Sequence, residues 1–320
     1  MNDVAYDPLV VARHLDDVVP GPSVVTIGNF DGVHRGHRVL LGRAVHAASE
    51  ADVRSVAVTF EPHPAAVLRP GSEPPRIQPL EDRIRHLRDT GVDLVLVLPF
   101  TTELAALTPE AFIERVLVDR LQAQRVIIGT NFRFGHRAAG NVVTLATEGE
   151  RHGFTAEAVT LLELDGVALS SSAVREHVAA GQLDFVTAAL GRPFAVAGTV
   201  VAGEQRGRTI GFPTANVEVP AGRLLPGNGV YAGRTRVTDA AGTVQVHDAV
   251  TNVGTRPTFD GKGVTVEVHL LDVDEDLYGR HLEVAFVARL RGEQRFDGIE
   301  ALREQIARDV QAAREALRQG

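Results

Sequence analysis

A glycine-rich stretch with two histidines is the first part of this sequence whose residues could do chemistry. It runs from Gly28 to His37 and reads GNFDGVHRGH, directly before a helical pattern that begins near Arg35. A helix start presents free backbone N–H groups and partial positive charge, which suit phosphate. His34 and His37 are three residues apart and face one side of the first turn. Imidazoles there can donate hydrogen bonds to phosphate oxygens and stabilise a leaving pyrophosphate, so the stretch predicts an ATP site.

Two other interpretations of this histidine pair stay open from the residues alone. The two side chains could be solvated helix residues. They could also belong to a zinc site with Asp31 or His63 as a third ligand, which would make the protein a histidine-centred metal hydrolase. The glycine spacing favours the ATP site, because glycine lets the backbone approach a ligand where a Cβ would obstruct it. These glycines are Gly28, Gly32 and Gly36.

The near absence of lysine excludes the familiar architectures for phosphate transfer. Of the 33 basic residues, only Lys262 is a lysine. A P-loop needs a Gly-Lys-Ser/Thr step, and a protein kinase needs a lysine on a strand. Neither pattern exists here, so any phosphate transfer must use another architecture.

A second glycine-spaced loop spans residues 203–216 and reads GEQRGRTIGFPTAN. Backbone N–H groups around such glycines can form an anion-binding nest. In an extended chain Thr214 and Asn216 project to the same face, and their oxygens could hold Mg²⁺, which takes its other ligands from water and phosphates. A hairpin turn with a polar tail is the alternative.

One carboxylate stands inside an apolar strand pattern, VTVEVHLL, between Val264 and Leu271. Alternation places Glu267 on one face with Thr265 and His269, and the valines on the other. From the pattern alone Glu267 is either a functional group or an outward structural carboxylate, and His269 has no assigned role.

The elements that must position these residues differ between the two halves of the chain. In the first half, short apolar runs alternate with helical patterns, which predicts a doubly wound α/β domain with a buried parallel sheet. Thr108-Pro109 marks a helix start and Gly91 a helix stop. Ligands bind such sheets at the carboxyl ends of the strands. The predicted strands are 23–27, 55–60, 92–98, 125–129 and 155–160.

The second half lacks intervening helices, and its five or six strand patterns predict an antiparallel barrel. We place the domain boundary between residues 186 and 187, giving domains 1–186 and 187–320. The clear strand patterns are 194–201, 229–237, 243–250, 264–271 and 281–290. A closing helix carries an apolar stripe expected to pack on the barrel, formed by Ile299, Leu302, Ile306, Val310, Ala313 and Leu317.

Composition bounds the remaining classes of function. The formal net charge of −8 argues against a non-specific nucleic-acid binder. The absence of cysteine excludes disulfides and thiolate zinc sites. No apolar run suits a membrane span, and the first residues lack a signal-peptide pattern. We expect a cytoplasmic protein without nucleic-acid or membrane partners, monomeric or weakly self-associating.

Taken together, the motifs resemble the bifunctional riboflavin kinase / FAD synthetase family of bacteria. The resemblance covers nearly the whole chain. The segments that carry it are GNFDGVHRGH (28–37), TFEPHP (59–64), GTNFRFG (129–135), SSSAVR (170–175), GFPTAN (211–216), NVGTRPTF (252–259) and RGEQRFD (291–297).

For the first half, the resemblance implies a nucleotidyltransferase domain that adenylylates FMN to FAD and releases pyrophosphate. His34 and His37 would contact the ATP phosphates, and Arg175 would neutralise pyrophosphate. Ser172 stands where the family usually has threonine, and Asn141 where aspartate is frequent, so Asn141 receives no role. Further implied ATP contacts are Gly28, Asn29, Phe30, Asp31, Gly32, Ser171 and Ser172, and implied flavin contacts are Asn131, Phe132 and Phe134.

For the second half, the resemblance implies a flavokinase-type barrel that phosphorylates riboflavin to FMN. Thr214 and Asn216 would be Mg²⁺ ligands, and Glu267 the general base for the riboflavin 5′-hydroxyl. Phe296 would contact the flavin, although a buried aromatic anchoring the last helix is the other interpretation. Implied ATP contacts are Gly207, Arg208 and Gly211. The alternatives are the same fold with one activity, or a flavin-binding regulatory protein.

Overall fold

The structure is a computed structural model that describes residues 10–203, 207, 210–239, 241–258 and 261–319. The chain divides into two compact units. The first comprises Met1–Pro74 and Pro79–Ser171, and the second comprises Pro75–Gln78 and Ser172–Gly320. The second unit resumes at Ser172. The domain boundary expected between residues 186 and 187 stays a prediction.

A six-stranded parallel sheet forms the centre of the first unit and confirms the expected doubly wound fold. Its order is β1-β4-β3-β2-β5-β6. The two-residue edge strand β1 was not predicted. The strands are β1 (Val11–Ala12), β2 (Ser23–Ile27), β3 (Arg54–Glu61), β4 (Leu94–Pro99), β5 (Ala123–Gly129) and β6 (Thr155–Val159); a separate two-stranded hairpin consists of β7 (Glu163–Leu164) and β8 (Val167–Ala168).

The helix start predicted at Thr108 and the helix stop predicted at Gly91 are both present in the first unit. Thr108 caps its helix by accepting a hydrogen bond from Ala111 N, and Gly91 follows a helix in the left-handed region at φ +86°. The helices are α1 (Arg35–Glu50), α2 (Pro64–Leu68), α3 (Leu80–Arg88), α4 (Thr102–Ala106), α5 (Pro109–Phe112, continued by π-helical turns over Ile113–Val118) and α6 (Val142–His152).

Burial on both faces explains why β2 reads as a continuous apolar run. Val24 packs with Leu40 and Ala44 of α1, whereas Val25 packs into the core on the opposite side, with Phe112. The strand order reverses at β2, which has β3 on one side and β5 on the other. The loop after β2 therefore lies at the topological switch point, where ligands bind such sheets.

The second unit is built on a closed barrel of six antiparallel strands in the order β10-β13-β12-β11-β14-β9, which confirms the predicted barrel. The sequence pattern left β10 unassigned, yet this strand pairs with both β9 and β13 and closes the barrel. The strands are β9 (Phe194–Val201), β10 (Ala215–Glu218), β11 (Gly229–Thr238), β12 (Val244–Thr258), β13 (Gly261–Leu270) and β14 (His281–Arg291).

The helices that the structure describes in the second unit are α8 (Leu183–Leu190) and α9 (Ile299–Gln319), and α7 (Ser171–Ala180) begins at the unit boundary. Ala313 and Leu317 of α9 pack against barrel residues such as Val230, as the apolar stripe predicted. The prediction was wrong for Ile299, which is 62% exposed. No helix in the described part of the chain is long and apolar enough to cross a lipid bilayer.

A short segment from the first half of the sequence, Pro75–Gln78, also belongs to the second unit. Arg76 N donates to Gly222 O at 2.8 Å, and Leu224 N donates to Arg76 O at 2.9 Å. The Arg223 guanidinium donates to Ile77 O at 3.2 Å. The segment is thus held by backbone pairing like an added strand.

Candidate active sites

The loop after β2, residues 28–37, is fixed to the neighbouring strand at its first two residues. Gly28 N donates to Val58 O at 3.0 Å, and Asn29 O accepts from Thr59 Oγ1 at 3.0 Å. The loop then turns sharply, because Phe30 and Gly32 have φ values of +49° and +87°. We call residues 28–37 the nucleotide loop.

His34 and His37 lie together at the end of the nucleotide loop, as predicted. His34 is the N-cap of α1, and its Nδ1 accepts from His37 N at 3.3 Å. The two rings stack with centroids 3.6 Å apart and planes 21° apart. The ring of Phe30 packs edge-on against His37 at 5.2 Å, so both imidazoles are held in place.

Burial keeps both imidazoles neutral. It lowers the pKa of His34 to about 4. Burial, and next the charge of His34, lower the pKa of His37 well below its usual value. Because His34 Nδ1 is an acceptor, the proton of the neutral ring sits on Nε2. This buried Nε2–H has no hydrogen-bond partner among the described residues, and such a donor suits a ligand oxygen.

Two glycines of the nucleotide loop lie against side chains of the protein, whereas the sequence predicted that they let the backbone approach a ligand. A Cβ on Gly36 would lie 3.1 Å from Cε1 and Nδ1 of His34, and a Cβ on Gly28 would lie 3.1 Å from the Phe30 ring. These glycines therefore make room for side chains of the protein itself. The φ of +87° at position 32 favours glycine there.

The described part of the chain, which includes His34, His37 and His63, contains no histidine metal centre. No group of three or more His, Cys, Asp or Glu side chains there could hold a metal ion. His63 instead caps α2 by accepting from Ala65 N at 3.1 Å, and its Nε2 lies 3.4 Å from Asn29 Nδ2.

The loop after β5 contains three of the four predicted flavin contacts, and they lie in different environments. Asn131 is exposed, and its Oδ1 would lie 3.1 Å from a Cβ on Gly129. The partly buried Phe132 stacks on Phe134 at 5.7 Å. Phe134 is only 7% exposed and belongs to the hydrophobic core with Phe112. Asn131 is therefore the most accessible of the three.

The serine-rich motif spans the boundary between the two units. Ser171 Oγ donates to Asp31 O at 2.8 Å, which ties the start of α7 to the nucleotide loop. Ser172 and Arg175 belong to the second unit, where Ser172 is exposed and Arg175 Nε donates to Pro75 O at 2.8 Å. Asn141, which received no role, is the N-cap of α6.

In the second unit, the described residues of the predicted phosphate loop include Gly207 and the stretch 210–216. Phe212 N donates to Gly207 O at 2.9 Å. A Cβ on Gly207 would overlap Phe212 O, and Gly211 has φ +86°, so both positions require glycine. Arg208, a predicted ATP contact, lies outside the described residues.

Thr214 and Asn216 follow this loop, and strand pairing places Asn216 beside Glu267. Asn216 of β10 is directly opposite Glu267 of β13, which is also opposite Asn252 of β12. Directly paired residues share a face with Cβ atoms about 5 Å apart. Their valine neighbours are buried in the barrel, so the three polar side chains form a row on the outer face. A Cβ on Gly203 would overlap the Asn216 amide.

His269, to which the sequence assigned no role, supports the same loop. Its Nδ1 lies 2.8 Å from Pro213 O, and its ring lies edge-on to Phe212 at 5.5 Å. Because a carbonyl can only accept, Nδ1 carries the proton. No spacing signal identifies this contact, since Pro213 and His269 are far apart in sequence.

Two clefts of the second unit lie beside these residues. The larger, of about 310 Å³, adjoins Thr214 and has an apolar floor formed by Val200, Ala215, Val268 and Leu270, with Tyr278 and the acidic residues 274–276 at its edge. The smaller, of about 280 Å³, adjoins Gly211. It is lined by Ile210, Gly211, Ile299, Glu300 and Arg303, which gives the exposed Ile299 a place in a cleft.

Phe296, a predicted flavin contact, is only partly buried. The guanidinium of Arg291 lies over its ring at 5.7 Å. Arg291 is itself held by a bidentate ion pair with Asp309 of α9, at 2.8–3.1 Å. Asp309 is 4% exposed, so this pair joins α9 to the segment that carries Phe296.

Comparison with known proteins finds matches along both units. A family model described as FAD synthetase matches residues 17–173, and one described as riboflavin kinase matches residues 190–317. The bifunctional riboflavin kinase/FMN adenylyltransferase of Escherichia coli K12 is 41% identical over 91% of this chain and 92% of its own. The protein of that name from Bacillus subtilis is 34% identical over 94% of each chain.

A solved structure matches at the level of the whole chain. It comes from Streptococcus pneumoniae and is described as that of a macrolide-efflux protein. The TM-score is 0.85 at 29% identity, and the match covers 95% of this chain and 98% of that one.

Proposed function

Because the chain belongs to the bifunctional riboflavin kinase/FMN adenylyltransferase family, we propose that the nucleotide loop of the first unit belongs to one active site and Glu267 of the second unit to the other. The chain is a bifunctional enzyme: it phosphorylates riboflavin to FMN with ATP, and it adenylylates FMN to FAD with release of pyrophosphate. Both family models describe flavin chemistry, so this is the function proposed for the chain, and not the efflux named for the Streptococcus structure.

For adenylyl transfer, we assign the ATP phosphates to the nucleotide loop. An oxygen of the FMN phosphate attacks the α-phosphorus of ATP, and the bond to pyrophosphate breaks. Negative charge grows on the leaving group, where preorganised N–H donors stabilise it. The Nε2–H of buried His34, for which the described part of the chain offers no hydrogen-bond partner, supports this assignment, as does the neighbouring ring of His37. Since both rings are neutral, they act as dipolar donors and contribute no full positive charge.

The companion residues keep the roles that the family motif implies. Ser171 is bonded to the nucleotide loop, which supports a contact with the triphosphate. Ser172 as a triphosphate contact and Arg175 as the group that neutralises pyrophosphate stay predictions from the motif. For the flavin we favour Asn131 and Phe132, and Phe134 acts mainly by supporting the Phe132 ring.

For phosphoryl transfer, we assign Glu267 as the general base. It takes the proton of the riboflavin 5′-hydroxyl as that oxygen attacks the γ-phosphorus of ATP, and ADP leaves. The position of Glu267 on the barrel face, in one row with Asn216 and Asn252, supports the assignment. An outward structural carboxylate would need no such polar row within a strand of valines.

The oxygen donors beside Glu267 fit a magnesium ion. Thr214 and Asn216 offer a hydroxyl and an amide oxygen, hard ligands of the kind that Mg²⁺ takes along with water and phosphate. The Asn216 amide is cradled against Gly203, where a Cβ would overlap it. When bound with ATP, the ion would offset phosphate charge. The protein's part is to hold Asn216 on β10 and Thr214 directly before that strand.

The two clefts suggest where the substrates lie. The larger adjoins Thr214 and has an apolar floor, which suits the flat adenine ring. The smaller is bounded by Gly211 and the start of α9, near the segment that carries Phe296, and suits the flavin ring. We also propose a cytoplasmic location and a monomer or weak self-association, as composition suggested.

The observation that carries this proposal is that the two glycine-rich motifs adjoin different sheets, one directly after β2 and the other directly before β10. Incubation with riboflavin, ATP and Mg²⁺, followed by separation of the flavins, should yield both FMN and FAD. Glu267→Gln should abolish FMN formation and leave FAD formation from supplied FMN. His37→Ala should do the reverse. If either variant lost both activities while folded, separate sites would be wrong; a folded wild-type protein that made neither product would favour the flavin-binding regulatory alternative.

A further inference from the structure

A buried arginine that belongs to none of the sequence motifs joins the nucleotide loop to the strand beside it. Arg83 of α3 is 6% exposed. Its Nη1 donates to Asn29 O at 3.1 Å. Its Nη2 donates to Phe60 O at 3.1 Å and to Glu61 Oε2 at 2.6 Å. One guanidinium thus contacts the carboxyl ends of both β2 and β3.

An arginine side chain is better suited than any other to bond the nucleotide loop and β3 at the same time. A buried cation must be paired and hydrogen-bonded to offset the loss of water. Glu61 supplies the opposite charge, and the backbone carbonyls of Asn29 and Phe60 each accept a hydrogen bond from the guanidinium. The planar group with several fixed donors reaches all three at once, whereas a lysine would present one compact charge.

The bond to Asn29 matters because of where Asn29 stands. Its carbonyl accepts from both Arg83 and Thr59, and the next residue, Phe30, already turns into the left-handed region at φ +49°. The carbonyl therefore fixes the direction in which the chain leaves β2. Every later residue of the loop, including His34, depends on that direction.

We infer that Arg83 is a positioning residue for adenylyl transfer, acting through the Asn29 carbonyl on the nucleotide loop. This inference rests on the proposed role of that loop. Arg83 does not touch the reacting groups, so its loss should act on the placement of the histidines. Displacements on the order of 1 Å from productive geometry can cost about 100-fold in rate.

The test compares Arg83→Lys with the matched control Arg85→Lys, in full-length protein. Arg85 lies on the same helix, is 56% exposed and pairs only with Asp82 among the ion pairs described. We expect Arg83→Lys to lower kcat for FAD formation from supplied FMN by roughly 10- to 100-fold, with a smaller change in KM for ATP. FMN formation from riboflavin should be unchanged, and Arg85→Lys should match the wild-type protein.

A second variant keeps the inference testable if the lysine variant fails to fold. Thr59→Val removes the other donor to Asn29 O and leaves the buried charge intact. It should lower the same kcat by about three- to tenfold. An unchanged kcat in folded Arg83→Lys would overturn the inference, as would an unchanged kcat in Thr59→Val. A wild-type protein that made no FAD would instead refute the proposed function of the loop.

Discussion

Acidification from pH 7 to pH 5 should loosen the nucleotide loop, because buried His34 resists protonation. The side chain is 3% exposed, and burial lowers its pKa from 6.5 to about 4. In the unfolded chain the imidazole regains its ordinary pKa. Between these two values the unfolded state binds more protons than the folded state, so the free energy of unfolding falls as the pH falls.

The size of the effect follows from the two pKa values. Between pH 7 and pH 5 the contribution of His34 to the free energy of unfolding should fall by about 2 kcal/mol. In hydrogen exchange this corresponds to a loss of protection of roughly 20- to 30-fold. His37 acts in the same direction, because its pKa is also lowered, so the total loss exceeds the part due to His34.

Hydrogen exchange on the full-length protein measures this effect locally. Peptides from β2 and α1, corrected for intrinsic exchange, report on the first unit, and peptides from β11 serve as the internal reference. The matched variant is His34→Asn, because asparagine is a good N-cap residue and does not titrate. Its loss of protection between pH 7 and pH 5 should be smaller by roughly the factor assigned to His34.

Equal losses in the wild-type protein and in His34→Asn would refute the reasoning. They would mean that the pKa of His34 in the folded state is close to its value in the unfolded chain. The mechanism would then need revision, since part of the rings would carry a positive charge to the triphosphate near pH 7.

Three further changes test individual contacts. Gly36→Ala should slow FAD formation about tenfold, because a Cβ 3.1 Å from the His34 ring displaces it; a normal rate would show that the ring has room to move. Asp309→Asn should lower barrel stability by about 3 kcal/mol and raise KM for riboflavin, with FAD formation from supplied FMN as the control; an unchanged KM would separate the ion pair from the flavin site. His269→Leu should raise KM for ATP in FMN formation about threefold, and an unchanged KM would show that the bond to Pro213 O is dispensable.

The parts of the fold that were predictable are those whose burial leaves a pattern in the sequence. Strands such as β2 and β4 are buried on both faces, so each reads as an apolar run. The two residues of β1 are too few to form a pattern. The four residues of β10 lie within a motif that reads as a loop, and their strand character comes from pairing with Val201 and Glu267, which no local signal encodes.

The candidate sites were predictable where the chemistry is local in sequence. His34 and His37 are neighbours on one helical turn, and their spacing places them together. Arg83 is different, because α3 also carries Arg85 and nothing in the spacing distinguishes the two. Only the approach of the β2 and β3 ends, and the carboxylate of Glu61, makes one of them a buried cation.

The short segment Pro75–Gln78 gives the chain a connectivity that two consecutive domains would not have. The polypeptide leaves the first unit after Pro74, contributes four residues to the second unit, and returns at Pro79. A single proteolytic cut between residues 173 and 190 would therefore not separate the two compact units, because the N-terminal piece would still contain residues 75–78 of the second unit. In genetic terms, splitting the gene at that point would leave neither half encoding the whole of the second unit.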